Sequence, residues 1–176
     1  KFTLFATPSN VPAVSKRFTN KNEKIMDAPV EMIDIYPTLM DLTGKKTPSF
    51  VSGKSFASLL KDSSKRVRKS ALTELIIGSK DEMVQGYSIK TDRYRLTQWG
   101  ENGIHGYELY DHKFDKSELN NLANVEDYRA LKDSLKKVIR DRIADARKIP
   151  DGISQQNIPK ETGEPKPIYS QPKSKF

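Results

Sequence analysis

The strongest pattern in the chain lies over residues 125–148, where Tyr128, Leu131, Leu135, Val138, Ile139, Ile143 and Ala146 recur at intervals of three and four. That spacing gathers them on one face of a helix. Glu126 and Asp127 at its start and Arg147 and Lys148 at its end complement the helix dipole, and Pro150 stops it. Ahead of this helix the period changes to two. Leu72–Ile77 reads as one strand, while Tyr87-Ser88-Ile89-Lys90 and Tyr94-Arg95-Leu96-Thr97 alternate apolar with polar, as in a half-buried antiparallel sheet. Thr91-Asp92-Arg93 joins that pair tightly. Tyr107-Glu108-Leu109-Tyr110 predicts a fourth strand, reached through a glycine-rich loop at 100–106.

A shorter helix is predicted from Pro29. Val30, Ile33, Tyr36 or Pro37, Met40 and Leu42 leave an apolar stripe at helical spacing, with Glu31 and Asp34 at the positive end. Pro37 should kink or split it, and Gly44 suits its C-terminal cap. A second short helix is predicted at Phe56–Leu60, after a turn at Ser52-Gly53. Residues 1–14 suggest short extended pieces broken by Pro8 and Pro12, and residues 15–28 a lysine-rich surface loop. The last 27 residues hold five of the ten prolines and two aromatics, the composition of an extended or disordered tail. The fold class is α+β: a four-stranded antiparallel sheet packed by a long C-terminal helix.

Composition narrows the function classes. Of 176 residues, 35% are hydrophobic, and no run approaches the roughly 18–20 apolar residues that a membrane-spanning helix needs. The absence of Cys removes disulfides, zinc–thiolate sites and a cysteine nucleophile from this chain. Lys and Arg number 31 against 23 Asp and Glu, a net charge of +8, which suits an anionic partner. The cluster Lys61, Lys65, Arg66, Arg68, Lys69 can bind phosphate or sulfate, or can be a solvated loop. The 125–148 helix mixes eight basic with five acidic residues, a solvated face rather than a groove-reading element, so nucleic acid is not expected as a partner. The chain opens Lys1-Phe2-Thr3-Leu4-Phe5, without an initiator Met or signal peptide, and reads as a processed or truncated piece of something longer.

The chemistry-bearing residues are few. The loop Trp99-Gly100-Glu101-Asn102-Gly103-Ile104-His105-Gly106 carries an aromatic, a carboxylate, an amide and an imidazole, a set that can contact a sugar. Its plainer reading is a hairpin loop whose glycines serve the backbone. His112 with Asp111 and Asp115 matches no recognised metal-ligand spacing. No G-x-S-x-G elbow and no phosphate-binding glycine loop is present.

Several segments, in order, nevertheless resemble one family. Pro29-Val30-Glu31-Met32-Ile33-Asp34-Ile35-Tyr36-Pro37-Thr38-Leu39-Met40-Asp41-Leu42-Thr43-Gly44, Gly53-Lys54-Ser55-Phe56 with Leu59-Leu60, Gly86–Arg95 (GYSIKTDRYR), Glu108-Leu109-Tyr110-Asp111 and Asn121-Leu122-Ala123 resemble the C-terminal portion of type I sulfatases of the alkaline-phosphatase superfamily, especially those similar to iduronate-2-sulfatase. The resemblance spans residues 1–147. It departs at Ala6 and Thr7, where the family has acidic residues, at Ala13-Val14, where longer apolar residues are usual, and at Lys116, where the family has proline. An A-P-G that usually follows the opening segment is missing.

The resemblance implies the following. Residues 1–60 would be the incomplete end of the alkaline-phosphatase-like α/β catalytic domain, 61–149 the C-terminal subdomain and 150–176 a proline-rich tail. The intact enzyme would hydrolyse a sulfate ester, suitably of a sulfated saccharide, through a formylglycine hydrate with Ca2+ holding the sulfate. The C-x-P-S-R motif and the calcium ligands would lie upstream, so this chain alone would be inactive. Its partners would be that N-terminal catalytic part and the sulfated carbohydrate, and its location periplasmic or secreted. Lys1 stands where the family's sulfate-binding lysine stands. Trp99, Glu101 and His105 are the candidates for substrate contact. Two rivals remain: another hydrolase of the superfamily, a phosphodiesterase or phosphonate hydrolase, and a free-standing basic module that binds polyanions.

Overall fold

Leu72, Ile89, Leu96 and Leu109 stand opposite one another in a single row across four strands. In the computed structural model, which describes residues 28–79 and 82–149, these strands are β1 (Ala71–Ser79), β2 (Glu82–Lys90), β3 (Tyr94–Trp99) and β4 (Tyr107–Asp111). All neighbours pair antiparallel, in the order β1-β2-β3-β4. Short connections between successive strands impose this meander.

Three helices accompany the sheet: α1 (Ile35–Leu42), α2 (Ala57–Lys61) and the long α3 (Arg129–Ala146). The predicted periodicity decides how α3 sits. Leu135 and Ile139 are buried against Tyr87, Ile89, Leu96 and Leu109, with Leu131, Val138 and Ile143 packed around them. Ile89, Leu96, Leu109 and Ile139 are wholly excluded from solvent. Each such side chain contributes about 1.5–3 kcal/mol relative to exposure. Ala146, the last residue of the predicted apolar set, is exposed. A single 3-10 turn at Glu126–Tyr128 leads into α3.

Two sequence expectations change. The alternation on β2 and β3 predicts a solvated polar face, yet Ser88, Arg95 and Thr97 are buried as well. They are satisfied among themselves and by Glu118: Arg95 Nε donates to Glu118 Oε1 (2.7 Å), Arg95 Nη1 to Ser88 Oγ (3.3 Å) and Thr97 Oγ1 to Ser88 Oγ (2.9 Å). The second change concerns the Pro29 helix. It splits, as Pro37 requires, into a 3-10 turn at Met32–Asp34 and α1, and Pro29 itself lies ahead of both. Gly44 ends α1 in the left-handed region (φ 70°), with Lys45 N–H bonded to Met40 O.

The apolar stripe does not seat this helix. Ile33, Tyr36 and Leu42 are exposed, with Met32 and Leu39, while Asp34, Pro37 and Thr38 face inward. Polar bonds fix that side: Thr38 Oγ1 donates to Asp34 O (2.6 Å) and accepts from Phe56 N–H (3.0 Å), and Asp34 Oδ1 accepts from Lys54 N–H (2.7 Å).

Candidate substrate-binding site

Loop 99–106 is a rigid construction. Trp99 N–H donates to Gly106 O (3.0 Å), His105 N–H to Trp99 O (3.0 Å), Gly106 N–H to Gly103 O (2.9 Å) and Gly100 N–H to Gln85 O on β2 (2.7 Å). A single 3-10 turn at Glu101–Gly103 fills its centre. Gly103 is held at φ +77°, and a Cβ there would lie 2.1 Å from Tyr107 Cζ. Tyr107 Oη in turn donates to Asn102 O (2.6 Å).

The three candidate contact residues in this loop are not brought together. Trp99 and Gln98 are successive strand residues and therefore lie on opposite faces of the sheet. On the face away from α3, Trp99 Nε1 donates to Glu108 Oε1 (3.0 Å), and Glu108 Oε2 accepts from Tyr110 Oη (3.3 Å). Burial and this carboxylate push the Tyr110 phenol up, so it is a hydrogen-bond donor at any ordinary pH. His105 is exposed at the loop tip, its ring against Gly100. Glu101 turns to the α3 side. Lys1 lies outside the described residues.

On that side the loop and α3 enclose a cleft of about 440 Å3, with Gln98 on its floor, Glu101 and Asn102 on one wall, and Arg140 and Arg147 on the other. A smaller neighbouring hollow of about 270 Å3 shares Gln98, Asn102 and Arg140 and adds Lys136 and Tyr107. Gln98 is buried, and its Nε2 donates to Gly100 O (3.2 Å). Arg147 Nη2 donates to Tyr87 Oη (3.1 Å). Lys136 Nζ sits 5.1 Å from the centre of the Tyr107 ring and 3.5 Å from Asp133. Arg140 has no ion-pair partner among the described residues. These cations escaped the sequence reading, which took the polar side of the helix as solvated. Their spacing of four and then seven residues, one helix face, was the available signal.

The basic cluster at 61–69 is smaller than its composition suggests. Arg68 is buried on Asp34 and Glu31, and Arg66 pairs with Asp92 (3.2 Å), leaving Lys61, Lys65 and Lys69 exposed. His112, Asp111 and Asp115 also separate. His112 Nε2 meets Glu118 Oε1 (2.5 Å), Asp111 is gripped by Arg93 (2.8 and 2.6 Å), and Asp115 caps the Asn120 amide (2.8 Å). Among the described residues no group of three His, Asp or Glu is arranged to hold a metal.

A four-stranded antiparallel meander under one long helix is the architecture expected from the sulfatase resemblance. The sequence profile of the family described as N-sulphoglucosamine sulphohydrolase, C-terminal, matches residues 5–145. The chain belongs to that family, a C-terminal region of sulfatases. It is 31% identical over 139 residues to a sulfatase of Formosa agariphila, covering 79% of this chain and 24% of that protein. It is 30% identical over 100 residues to an N-acetylglucosamine-6-O-sulfatase of Bacteroides thetaiotaomicron, covering 54% of this chain and 18% of that protein. The solved structure of a 2-O GAG sulfatase superposes with a TM-score of 0.55 at 29% identity, over 63% of this chain and 24% of its own. The chain thus spans about a quarter or less of the length of these relatives. They establish the sulfatase family without singling out iduronate-2-sulfatase.

Proposed function

We propose that this chain is the C-terminal part of a sulfatase that, intact, hydrolyses sulfate esters of a saccharide in the periplasm or outside the cell. The observation that carries the reading is the family match over residues 5–145. The names of two relatives, an N-acetylglucosamine-6-O-sulfatase and a 2-O GAG sulfatase, support a sulfated sugar as substrate.

The nucleophile and the metal belong to the upstream catalytic part. This chain has no Cys from which a formylglycine can be made, and its described residues do not fit a calcium site. What it contributes is support and a wall. The exposed face of Met32, Ile33, Tyr36, Leu39 and Leu42 packs on the catalytic part, and the 99–106 loop, with Trp99, Glu101 and His105, borders the bound sugar. Lys1, the first residue of this chain, neutralises sulfuryl charge as the ester bond breaks.

The test is the product of the complete reading frame. Its C-x-P-S-R peptide is mapped by mass, and release of sulfate from sulfated glucosamine and glycosaminoglycan oligosaccharides is compared with cleavage of phosphate diesters and phosphonate monoesters. Formylglycine together with sulfate release is the expected result. An upstream Thr or Ser nucleophile with phosphorus ester cleavage, or a stop codon upstream that leaves the 176 residues as the whole product, overturns the reading.

A further inference from the structure

Lys136 and Arg140 on α3 and Arg147, which caps its C-terminal end, stand in one row, within about 40° of one another around the helix axis and over about 16 Å along it. All three line the paired hollows beside the 99–106 loop, and Glu101 is the one carboxylate lining either hollow among the described residues. Of the neighbouring acids of α3, Asp145 meets Arg142 and Lys148, while Asp133 pairs with Lys136 from the helix surface (3.5 Å), which leaves Arg140 as the central cation of the row. The floor is polar, with the Gln98 carboxamide, which spends one N–H on Gly100 O, and the Asn102 amide beside it. Asn102 is fixed by a left-handed backbone (φ 53°) and by the Tyr107 hydroxyl on its carbonyl.

We infer that this cleft is a binding site for an anionic saccharide chain, in which Arg140, flanked by Lys136 and Arg147, holds a sulfate or carboxylate while Gln98 and Asn102 hydrogen-bond ring hydroxyls. A guanidinium grips two oxygens of such a group, and an amide can both donate to and accept from a hydroxyl. The length of the row suits several linked sugar rings. Nucleic acid fits less well. Single strands are held by stacking on open aromatic faces, whereas here Lys136 covers the Tyr107 ring and Tyr87 is buried. The preference for an anion stands on the cleft alone; the choice of a sulfated sugar chain as its source rests on the proposed sulfatase reading.

The experiment uses the whole protein and a size-defined heparin oligosaccharide, with affinity measured at several salt concentrations. K136A/R140A/R147A is compared with K61A/K65A/K69A, which removes the same charge from exposed lysines outside the cleft. Thermal midpoints show whether each variant is folded, and Arg140→Gln alone is the second variant should the triple prove unstable. The cleft triple is expected to bind at least about tenfold more weakly than the lysine triple, the worth of roughly one charge-assisted hydrogen bond. Glu101→Gln is expected to tighten binding. Equal losses in the two triples, no heparin binding by the unmodified protein, or equally tight cleft-dependent binding of a single-stranded oligonucleotide would each overturn the inference. Hydrolysis of a small aryl sulfate, followed in parallel, reports on the sulfatase reading separately.

Discussion

Arg68 and Asp34, 34 positions apart in the chain, form a buried two-pronged ion pair in which Nε lies 2.7 Å from Oδ2 and Nη2 reaches Oδ1. Arg68 Nη1 also meets Glu31 (3.1 Å), whose other oxygen accepts from Arg142 Nη2 (2.5 Å) and from Leu72 N–H (2.7 Å). One charge cluster therefore joins the start of α1, the start of β1 and the long helix α3. It replaces the apolar contact that the stripe on α1 suggests, and it orients that helix with its hydrophobic side outward.

Removing one partner of such a cluster is costly, because the charge left behind stays buried. Arg68→Leu leaves Asp34 without its guanidinium and is expected to destabilise the fold by about 3–5 kcal/mol. Urea denaturation should show a lowered midpoint at an unchanged slope. A change under about 1 kcal/mol would mean that the pair contributes little.

The same pair sets the response to acid. Burial raises the Asp34 carboxyl, but the Arg68 hydrogen bond and charge and the amides of Lys54 and Glu31 outweigh it and hold it below its ordinary 3.8. A carboxyl held lower in the folded than in the unfolded chain stabilises above the unfolded value, and that stabilisation is lost as pH falls through the folded one. Unfolding midpoints should drop below about pH 4, where the unfolded carboxyl takes up its proton. Asp34→Asn, already weaker at neutral pH, should lose less on acidification.

His112 acts in a higher window. Burial, opposed by its bond to Glu118 and aided by Lys90 and Arg95, lowers its imidazole from the ordinary 6.5. The folded state therefore prefers the neutral ring, and protons bind the unfolded chain first. Stability is complete above 6.5 and declines as pH falls from there toward the lowered folded value. His112→Gln should flatten that slope between pH 5 and 7, as read by thermal midpoints; an unchanged slope assigns the titration elsewhere.

How much of this was legible depends on the range over which partners are found. The packing face of α3 could be read because Leu131, Leu135, Val138, Ile139 and Ile143 repeat locally and meet one apolar surface. The meander could be read from the alternation in β2 and β3. Arg68 could not, since within a run of lysines nothing marks the one cation whose carboxylate lies before α1. Nor could burial of the polar sheet face, which needs Glu118, 23 residues beyond Arg95 and itself in the left-handed region at φ 56°. In the candidate site, the Trp99–Gly106 loop was found but its convergence was not. Strand alternation sends Trp99 and Gln98 to opposite faces, and the basic wall comes from a helix some 40 residues further along the chain.

Gly53 shows a motif residue whose reason is steric. A Cβ at this position would lie 1.9 Å from Ile33 O and 3.0 Å from Pro37 Cγ, so the 53–56 segment can approach α1 only with glycine here. Gly53→Ala must push that segment away, breaking the bonds from Lys54 N–H to Asp34 and from Ser55 Oγ to Asp41 (2.7 Å). Losing the half-buried bond to Asp34 costs about 1–3 kcal/mol and the exposed one to Asp41 less, and amide exchange in the segment should accelerate accordingly. Protection equal to the unmodified protein would place the segment elsewhere.

The outward face of α1 distinguishes a chain docked on a catalytic part from a free-standing module. Leu39 and Leu42 are more than half exposed, and Met32, Ile33 and Tyr36 are exposed beside them. A contiguous apolar patch of this kind marks an interaction surface rather than a solvated one. If the chain is part of a larger sulfatase, Leu39→Asp places a charge in the contact with the catalytic part. It should then lower the thermal midpoint of the whole protein and its sulfate-ester hydrolysis together. In a free-standing polyanion-binding module the same residue faces water, and the change should stay within about 0.5 kcal/mol with heparin affinity nearly unaltered. Measuring stability and hydrolysis on one variant therefore tests the proposed partner without altering any residue of the cleft.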